Sequence, residues 1–259
     1  MLIPYIELAK DSAYKAGKIL LEGFGTDFII NNKEGINNLV TEYDTRAEKI
    51  IIDNILSHYP NHSFLAEESG YTKADTEYRW IIDPLDGTVN FAHNLPVFSV
   101  SIALEKNGEI ICGCVYNPVL DQMFHAELGK GAFKGDTKIL VSSQDDIHKS
   151  FLVTGFPYNI SENPKNAIEH FVKVVGSGIP VRRLGSAALD LAYVACGIFD
   201  GFWEVYLNPW DVAAGMLILR EAGGKMTHYD NTTYKHTGET VVASNGIIHD
   251  EILKFIDYK

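Results

Sequence analysis

Trp-Ile-Ile-Asp-Pro-Leu-Asp-Gly-Thr-Val-Asn-Phe, residues 80–91, is the most informative stretch of the chain. Its apolar start predicts a buried strand that ends at two carboxylates, Asp83 and Asp86, with Pro84 stiffening the backbone between them. Gly87 lets the chain turn, and the residues after it can begin a helical turn whose free N–H groups would suit a phosphate. The two carboxylates repel each other strongly unless a cation lies between them. The stretch alone is therefore equally typical of turn-forming acids and of a cation site.

Two further acidic segments favour the cation site. Glu67 follows a predicted strand at 64–66. Asn208 and Pro209 are typical of an N-cap and a first helical position, which places Asp211 in the first turn of a helix. Asp211 there has a second interpretation, which is stabilisation of the helix dipole. All donors in the three segments are oxygens, and this set favours Mg²⁺ or Mn²⁺ over Zn²⁺.

The segments resemble those of a known family, the lithium-sensitive, Mg²⁺-dependent inositol monophosphatases. One family signature stands at 80–91, and a second stands as Trp-Asp-Val-Ala-Ala-Gly at 210–215 and Glu-Ala-Gly-Gly at 221–224. Glu-Glu-Ser stands at 67–69, preceded by Ala66 where the family usually has Gly. The likeness covers nearly the whole chain. It implies an α+β and α/β fold, a layered α-β-α-β-α sandwich of the inositol monophosphatase and fructose-bisphosphatase type.

The resemblance implies a role for each residue of the candidate site. The implied ligands of two or three Mg²⁺ ions per chain are all oxygen donors: Glu67, Asp83, the Leu85 carbonyl, Asp86 and Asp211. The implied catalytic residues are Asp44, Glu67 and Thr88, and Asp44 and Thr88 would orient and deprotonate the attacking water. Asp44 has a structural alternative, because Thr41-x-x-Asp44 also resembles a capping box that begins a helix.

The implied substrate contacts come from both halves of the chain: Asp86, Gly87, Thr88, Gly185, Ser186, Ala187 and Glu204. Glu204 matches a family residue that binds inositol hydroxyls, which favours hydrolysis of inositol 1-phosphate. Alternatives within the family are NADP, fructose 1,6-bisphosphate and 3′-phosphoadenosine 5′-phosphate as substrates. A regulatory binding protein on the same fold is the alternative from another class. The resemblance also implies lithium inhibition and a homodimer.

The order of the predicted elements changes near residues 142–146. Residues 1–145 predict helices packed on a large antiparallel sheet that carries most of the metal ligands. Residues 146–259 predict alternating strands and helices, with helices at 162–175 and 246–257, and carry Asp211 and the specificity residues. The length of 259 residues fits one large domain or two that pack closely.

The composition limits the classes of partner. With 34 acidic and 22 basic residues, the formal net charge is −12, which argues against binding to nucleic acid or to an anionic membrane. A small phosphorylated metabolite is the expected partner. The chain shows no signal-peptide pattern and no apolar run of about 20 residues, so we expect a cytoplasmic protein.

Three basic residues each have two interpretations. Lys33 could lie near a third metal or be a solvated lysine, and the sequence favours neither. Arg182 and Arg183 suit either a second phosphate or ribose, or acids at a dimer interface.

Overall fold

The computed structural model describes residues 3–28, 30–32 and 39–256 of the chain. Lys33 and most of the loop around it lie outside the described residues. Helices α1 (Tyr5–Gly23) and α2 (Glu42–His58) pack together on one face of a large sheet. Helix α1 is amphipathic, because its buried side chains recur every three or four residues and include Ile6, Ala9, Ala13, Ala16 and Leu20.

The large sheet has eight strands in the order β10-β9-β8-β7-β6-β5-β3-β4. Its strands are β3 (Ser63–Ala66), β4 (Gly70–Thr72), β5 (Tyr78–Asp86), β6 (Ser99–Lys106), β7 (Glu109–Asn117), β8 (Gln122–Glu127), β9 (Gly131–Lys134) and β10 (Thr137–Ile139). All neighbours pair antiparallel except β3 and β5, which are parallel, so that the ends of β3 and β5 lie at the same edge. Two short strands, β1 (Ile30–Asn32) and β2 (Leu39–Thr41), form a separate pair before α2. A single-turn helix, α3 (Thr88–Ala92), follows β5.

A second sheet of five strands has the order β12-β11-β13-β15-β14. Its strands are β11 (Leu152–Thr154), β12 (Val181–Arg182), β13 (Gly201–Val205), β14 (Lys225–Thr227) and β15 (Thr240–Ser244). Strand β11 pairs parallel with β12 and β13, and the other pairs are antiparallel. Helices α4 (Ala167–Gly176) and α7 (His249–Phe255) share a core with one face of this sheet.

Helices α5 (Ala187–Ala195) and α6 (Pro209–Glu221) lie between the two sheets and share one core with both. The layers are therefore α1 and α2, the large sheet, α5 and α6, the small sheet, and α4 and α7. This order confirms the predicted α-β-α-β-α sandwich. The eight consecutive residues 212–219 of α6 are all buried. Small residues permit the close approach, because a Cβ added at Gly113 of β7 would lie 2.9 Å from the Cα of Ala214.

Several element boundaries differ from the predictions. The helix predicted at 162–175 begins only at Ala167, because Asn163, Lys165 and Asn166 have positive φ values of 50°, 53° and 56°, which interrupt a helix. The helix predicted at 246–257 occupies His249–Phe255. Strands β4, β10 and β14, which have three residues each, were not predicted. No described helix is long and apolar enough to span a membrane.

Candidate active site

The first part of the site is the end of β5 and the turn that follows. Asp83 is 2% exposed, and its Oδ1 accepts a hydrogen bond from the Leu85 N–H over 3.0 Å. Pairing with β6 is irregular between Asp83 and Asp86, which lets both carboxylates leave the regular alternation of a strand. Gly87 has φ of 98°, and a Cβ there would lie 3.1 Å from the Val97 carbonyl oxygen. The predicted turn is therefore present, and only glycine fits its sharpest position.

The start of α5 holds the second carboxylate of this turn. Ser186 Oγ donates to Asp86 Oδ2 over 2.6 Å, and the Ala188 N–H donates to the same oxygen over 2.8 Å. Burial raises the pKa of Asp86 to about 6, although these two hydrogen bonds oppose the shift. Of the predicted substrate contacts, Ser186 thus has its hydroxyl on Asp86, and Ala187 is buried beside it.

Asp211 reaches the same volume from α6. Its Oδ2 accepts the Asn208 N–H over 2.6 Å in a capping box, as expected for the first turn of a helix. The Ser101 hydroxyl donates to the Trp210 carbonyl over 3.1 Å, and Ser101 is paired with Asp83 across β5 and β6. This contact ties the beginning of α6 to the strand that carries Asp83.

Four carboxylates form what we call the acidic cluster: Glu67, Asp83, Asp86 and Asp211. Burial raises the pKa of Asp83 well above its usual range, and the charges of Glu67, Asp86 and Asp211 raise it further. The pKa of Asp211 is raised by burial and then by Asp86 and Glu67. In the described part of the chain, no three His, Cys, Asp or Glu side chains already converge on a common metal position. The cluster is therefore a set of mutually repelling acids with oxygen donors only, of which Asp83 is buried and Glu67, Asp86 and Asp211 are half-buried.

Asp44 and Thr88 lie together, and Asp44 has the predicted capping position while it also faces Thr88. Asp44 Oδ2 accepts the Thr41 N–H over 2.8 Å and closes the capping box of α2. Its Oδ1 lies 3.2 Å from the Thr88 hydroxyl, which is also 3.1 Å from the Leu85 carbonyl. One oxygen thus begins the helix while the other faces the end of β5.

Glu48 is a functional candidate that the sequence reasoning missed. It is 4% exposed, and its two carboxylate oxygens accept the Glu68 and Ser69 N–H groups over 2.8 and 2.9 Å. These bonds fix the turn that carries Glu67. The signal was available in the sequence, because Glu48 follows Asp44 by four residues and therefore lies on the same face of α2.

Glu204 lies on β13 and is 7% exposed. Burial raises the pKa of Glu204, and the charges of Asp211 and Asp86 raise it further, which places Glu204 beside the acidic cluster. No hydrogen bond to its carboxylate is found within the described residues. The predicted neighbour Gly185 has φ of 85° and follows Leu184, whose carbonyl accepts a hydrogen bond from Asn90 over 2.8 Å.

The family model described as the inositol monophosphatase family matches residues 1–257. The chain belongs to this family.

Two curated relatives and one solved structure illustrate the similarity. Inositol-1-monophosphatase of Mesorhizobium japonicum is 40% identical over 95% of this chain and 93% of its own length. The protein named Nus factor SuhB of Escherichia coli K12 is 39% identical over 95% of this chain and 93% of its own length. The structure of extragenic suppressor protein suhB from Bartonella henselae matches with a TM-score of 0.92 and 37% identity over 97% of each chain. The chain is thus an inositol-1-monophosphatase-like phosphatase.

An arginine pair and a buried aspartate also lie near the site of this inositol monophosphatase family member. Arg182 and Arg183 are exposed and lie over the rings of Phe151 and Phe156. Arg183 opposes the rise in the pKa of Glu204, so it lies within electrostatic range of that carboxylate. Asp190 of α5, which the sequence reasoning missed, is 1% exposed, and its Oδ1 has no hydrogen-bond partner among the described residues.

Proposed function

We propose that this protein hydrolyses a phosphate monoester with Mg²⁺, and that the substrate is inositol 1-phosphate, which yields inositol and phosphate. The observation that carries the proposal is the acidic cluster. Burial and the charges of the cluster raise the pKa values of Asp83, Asp86 and Asp211, and the cluster lies beside the Asp44–Thr88 pair. Buried acids that repel one another are costly to a fold unless they bind cations. A cost of this kind at the ends of β3 and β5 and the start of α6 is typical of a functional site.

The residues present fit Mg²⁺, because the cluster offers only oxygen donors. Glu67, Asp83, the Leu85 carbonyl, Asp86 and Asp211 would hold two or three ions. Bound Mg²⁺ would neutralise phosphoryl oxygens and lower the pKa of a bound water. The chain itself prepares the donors. Backbone N–H groups hold one oxygen each of Asp83, Asp86 and Asp211, so the carboxylates need little rearrangement when cations enter.

Thr88 and Asp44 would handle the proton of the attacking water. The Thr88 hydroxyl donates toward Asp44 Oδ1 or the Leu85 carbonyl, which leaves its oxygen lone pair free to accept a hydrogen bond from water. Asp44 is fully buried and keeps its other oxygen on the N-cap of α2, so it is held rigidly. The Gly87 and Thr88 N–H groups would bind the phosphate after the sharp turn.

Glu204 and the 185–187 segment would bind the alcohol part of the substrate. The Glu204 carboxylate accepts no hydrogen bond among the described residues, so its oxygens are open to donation from vicinal hydroxyls of the alcohol. The polyol also explains why the site is acidic on both sides, since a neutral alcohol tolerates a nearby carboxylate. A substrate with a second phosphate would meet repulsion from Glu204 and would depend on Arg183.

A regulatory binding protein is the second candidate, and one observation favours it. A relative that is 39% identical over 95% of this chain is named Nus factor SuhB, which is not the name of a phosphatase. The acidic cluster opposes a purely regulatory role, because a binding protein does not need buried acids that repel one another.

The decisive experiment measures phosphate release from inositol 1-phosphate, NADP, fructose 1,6-bisphosphate and 3′-phosphoadenosine 5′-phosphate, each with Mg²⁺ and with EDTA. We expect Mg²⁺-dependent release with the highest kcat/KM for inositol 1-phosphate. No release from any of the four, with Mg²⁺ at saturation, would overturn the proposed activity. Faster hydrolysis of another member of the panel would replace inositol 1-phosphate as the substrate.

Lithium sensitivity follows from the same proposal as a separate prediction. We expect Li⁺ to inhibit uncompetitively with respect to substrate, because it would bind the enzyme that still holds the product phosphate. Steady-state rates at several Li⁺ concentrations measure this. Purely competitive inhibition, or none at limiting Mg²⁺, would contradict it.

We also propose that the protein is a homodimer. Light scattering tests this by measuring the mass of the protein in solution.

A further inference from the structure

Gly155 follows β11 directly and is buried beside Glu204. A Cβ built on Gly155 would overlap the Glu204 carboxylate, with Oε1 and the carboxyl carbon both 2.5 Å away. The Glu204 carboxylate therefore occupies the space that any other residue at position 155 would fill with its own side chain. The φ of Gly155 is not in the left-handed region, so the backbone conformation does not explain the glycine.

The register of the second sheet explains the contact. Thr154 is paired with Trp203 in the parallel β11–β13 ladder, so that Gly155 and Glu204 are the next pair in sequence. Neighbouring residues of two strands point to the same face, with side chains about 5 Å apart. On the other side of Glu204, the paired residue of β15 is the buried Val241. Glu204 thus has an apolar side chain on one flank and an empty position on the other, and its carboxylate lies across the empty one.

Charges of both signs lie around Glu204. Asp211 and Asp86 both disfavour the charged form of Glu204, whereas Arg183 favours it. The Glu204 carboxylate lies over Gly155, against β11. Its oxygens accept no hydrogen bond among the described residues, so no such bond holds the carboxylate in another position. The Thr154 hydroxyl donates to the Trp203 carbonyl over 2.6 Å and anchors β11 next to this pair.

We propose that Gly155 is a positioning residue that sets substrate choice: the missing side chain lets the Glu204 carboxylate lie flat on β11, where it leaves room for a polyol and faces its hydroxyls. This inference rests on the proposed function of Glu204. With a methyl group at position 155, the carboxylate must turn outward into the space that the alcohol would occupy. The backbone need not move, because the overlapping atoms are the end of a flexible side chain.

The test compares two substrates in Gly155→Ala: inositol 1-phosphate, which presents hydroxyls, and p-nitrophenyl phosphate, which presents none. We expect kcat/KM for inositol 1-phosphate to fall roughly 10- to 100-fold, mainly through KM, as for the loss of hydrogen bonds to a charged group. The kcat/KM for p-nitrophenyl phosphate should change less than about twofold, since the acidic cluster is untouched. Gly176→Ala is the matched control, because no atom lies within 4 Å of its added Cβ.

Glu204→Asp provides the second arm. The shorter aspartate does not reach across β11, so adding Gly155→Ala to it should lower activity on inositol 1-phosphate by less than about threefold. Equal losses on both substrates, no loss on inositol 1-phosphate, or the same loss with and without Glu204→Asp would each overturn the inference. A wild-type protein that does not hydrolyse inositol 1-phosphate would instead overturn the proposed function, which separates the two failures.

Discussion

The acidic cluster and the Gly155–Glu204 pair lie next to each other but are held in different ways. Asp83, Asp86 and Asp211 each accept a backbone N–H from a residue two or three positions away or from the start of α5. Glu204 has no such bond in the described structure, and its position is set by an absent side chain on the next strand. The cluster is thus fixed before any ligand arrives, whereas Glu204 is restrained only by shape and charge.

This difference suggests that the acidic cluster serves the reaction, whereas Glu204 serves the choice of substrate. Fixed carboxylates suit the phosphate reaction, because preorganised groups need no rearrangement during the reaction. A carboxylate restrained by one missing methyl group can move when the neighbouring residue changes. We therefore expect substitutions in the acidic cluster to affect all substrates equally, and substitutions around Glu204 to affect only some of them.

The largest expected effect is that of Asp83→Asn. Asp83 lies near all three other acids of the cluster, Glu67, Asp86 and Asp211. Loss of its charge should therefore lower phosphatase activity by at least about 10³-fold on every phosphomonoester. The melting temperature without metal should not fall, because the change also relieves repulsion between buried acids. Activity and thermal unfolding of the same preparation measure both. Near-normal turnover at saturating Mg²⁺, or a loss confined to one substrate, would break the comparison.

Thr88→Ala should act on the reaction and leave binding in place. Loss of the hydroxyl between Asp44 and the attacking water should lower kcat roughly 10²-fold with little change in KM. Thr88→Ser keeps the hydroxyl and is the matched control, with kcat expected within about tenfold of wild type. An effect on KM alone would make Thr88 a phosphate ligand instead.

Glu48→Gln tests whether the hydrogen bonds of Glu48 to the 68–69 turn position Glu67 for metal binding. The amide can accept only one of the two N–H bonds of the 68–69 turn, so the affinity for Mg²⁺ should fall roughly tenfold, as for other residues that orient a metal ligand. Titration calorimetry with Mg²⁺ or electron paramagnetic resonance with Mn²⁺ measures this without turnover. Glu42→Gln, at an exposed position of the same helix, removes the same charge and should bind metal normally. Equal losses in both variants would point to net charge alone.

The smallest effect concerns a residue outside both regions. His249 is fully buried between Thr227 and Ser244, and burial lowers its pKa to about 4 from an ordinary value of 6.5. Protonation therefore favours the unfolded chain, so stability should decrease as the pH falls from 6.5 toward 4, by about 1–2 kcal/mol at pH 5. Thermal unfolding of wild type and His249→Gln across this range measures it, and the variant should show a flatter pH dependence. An identical slope in both proteins would contradict this role of His249.

Much of the acidic cluster could be predicted because its parts are local in sequence. Asp83, Asp86 and Gly87 lie within one turn, and Asp211 follows its own N-cap, so spacing alone places each at the end of an element. The layered fold followed from the family resemblance, and the order of elements agrees with it. Glu48 could have been predicted from its spacing to Asp44, but a single acidic residue on a helix is usually exposed.

The Gly155–Glu204 contact could not be predicted from the sequence. It joins residues 49 positions apart, and its cause is a strand register that no local pattern records. The late start of α4 was missed for a related reason. Its apolar spacing is helical, but Asn163, Lys165 and Asn166 adopt left-handed backbone conformations, and the Lys165 side chain forms an ion pair with the distant Glu239.

Helix α6 carries Asp211 in its first turn and is then buried at residues 212–219 between two sheets. The 212–219 stretch offers no solvent-facing position at which neutral changes can accumulate, and a substitution there disturbs the packing that follows Asp211. In a mutational library, we expect the 212–219 positions to be depleted of variants as strongly as the acidic cluster itself. We expect exposed residues within electrostatic range of Glu204, such as Arg183, to tolerate more substitutions than this stretch. We therefore expect changes in substrate specificity to arise from substitutions at the small sheet, while the residues that serve the phosphate reaction stay unchanged.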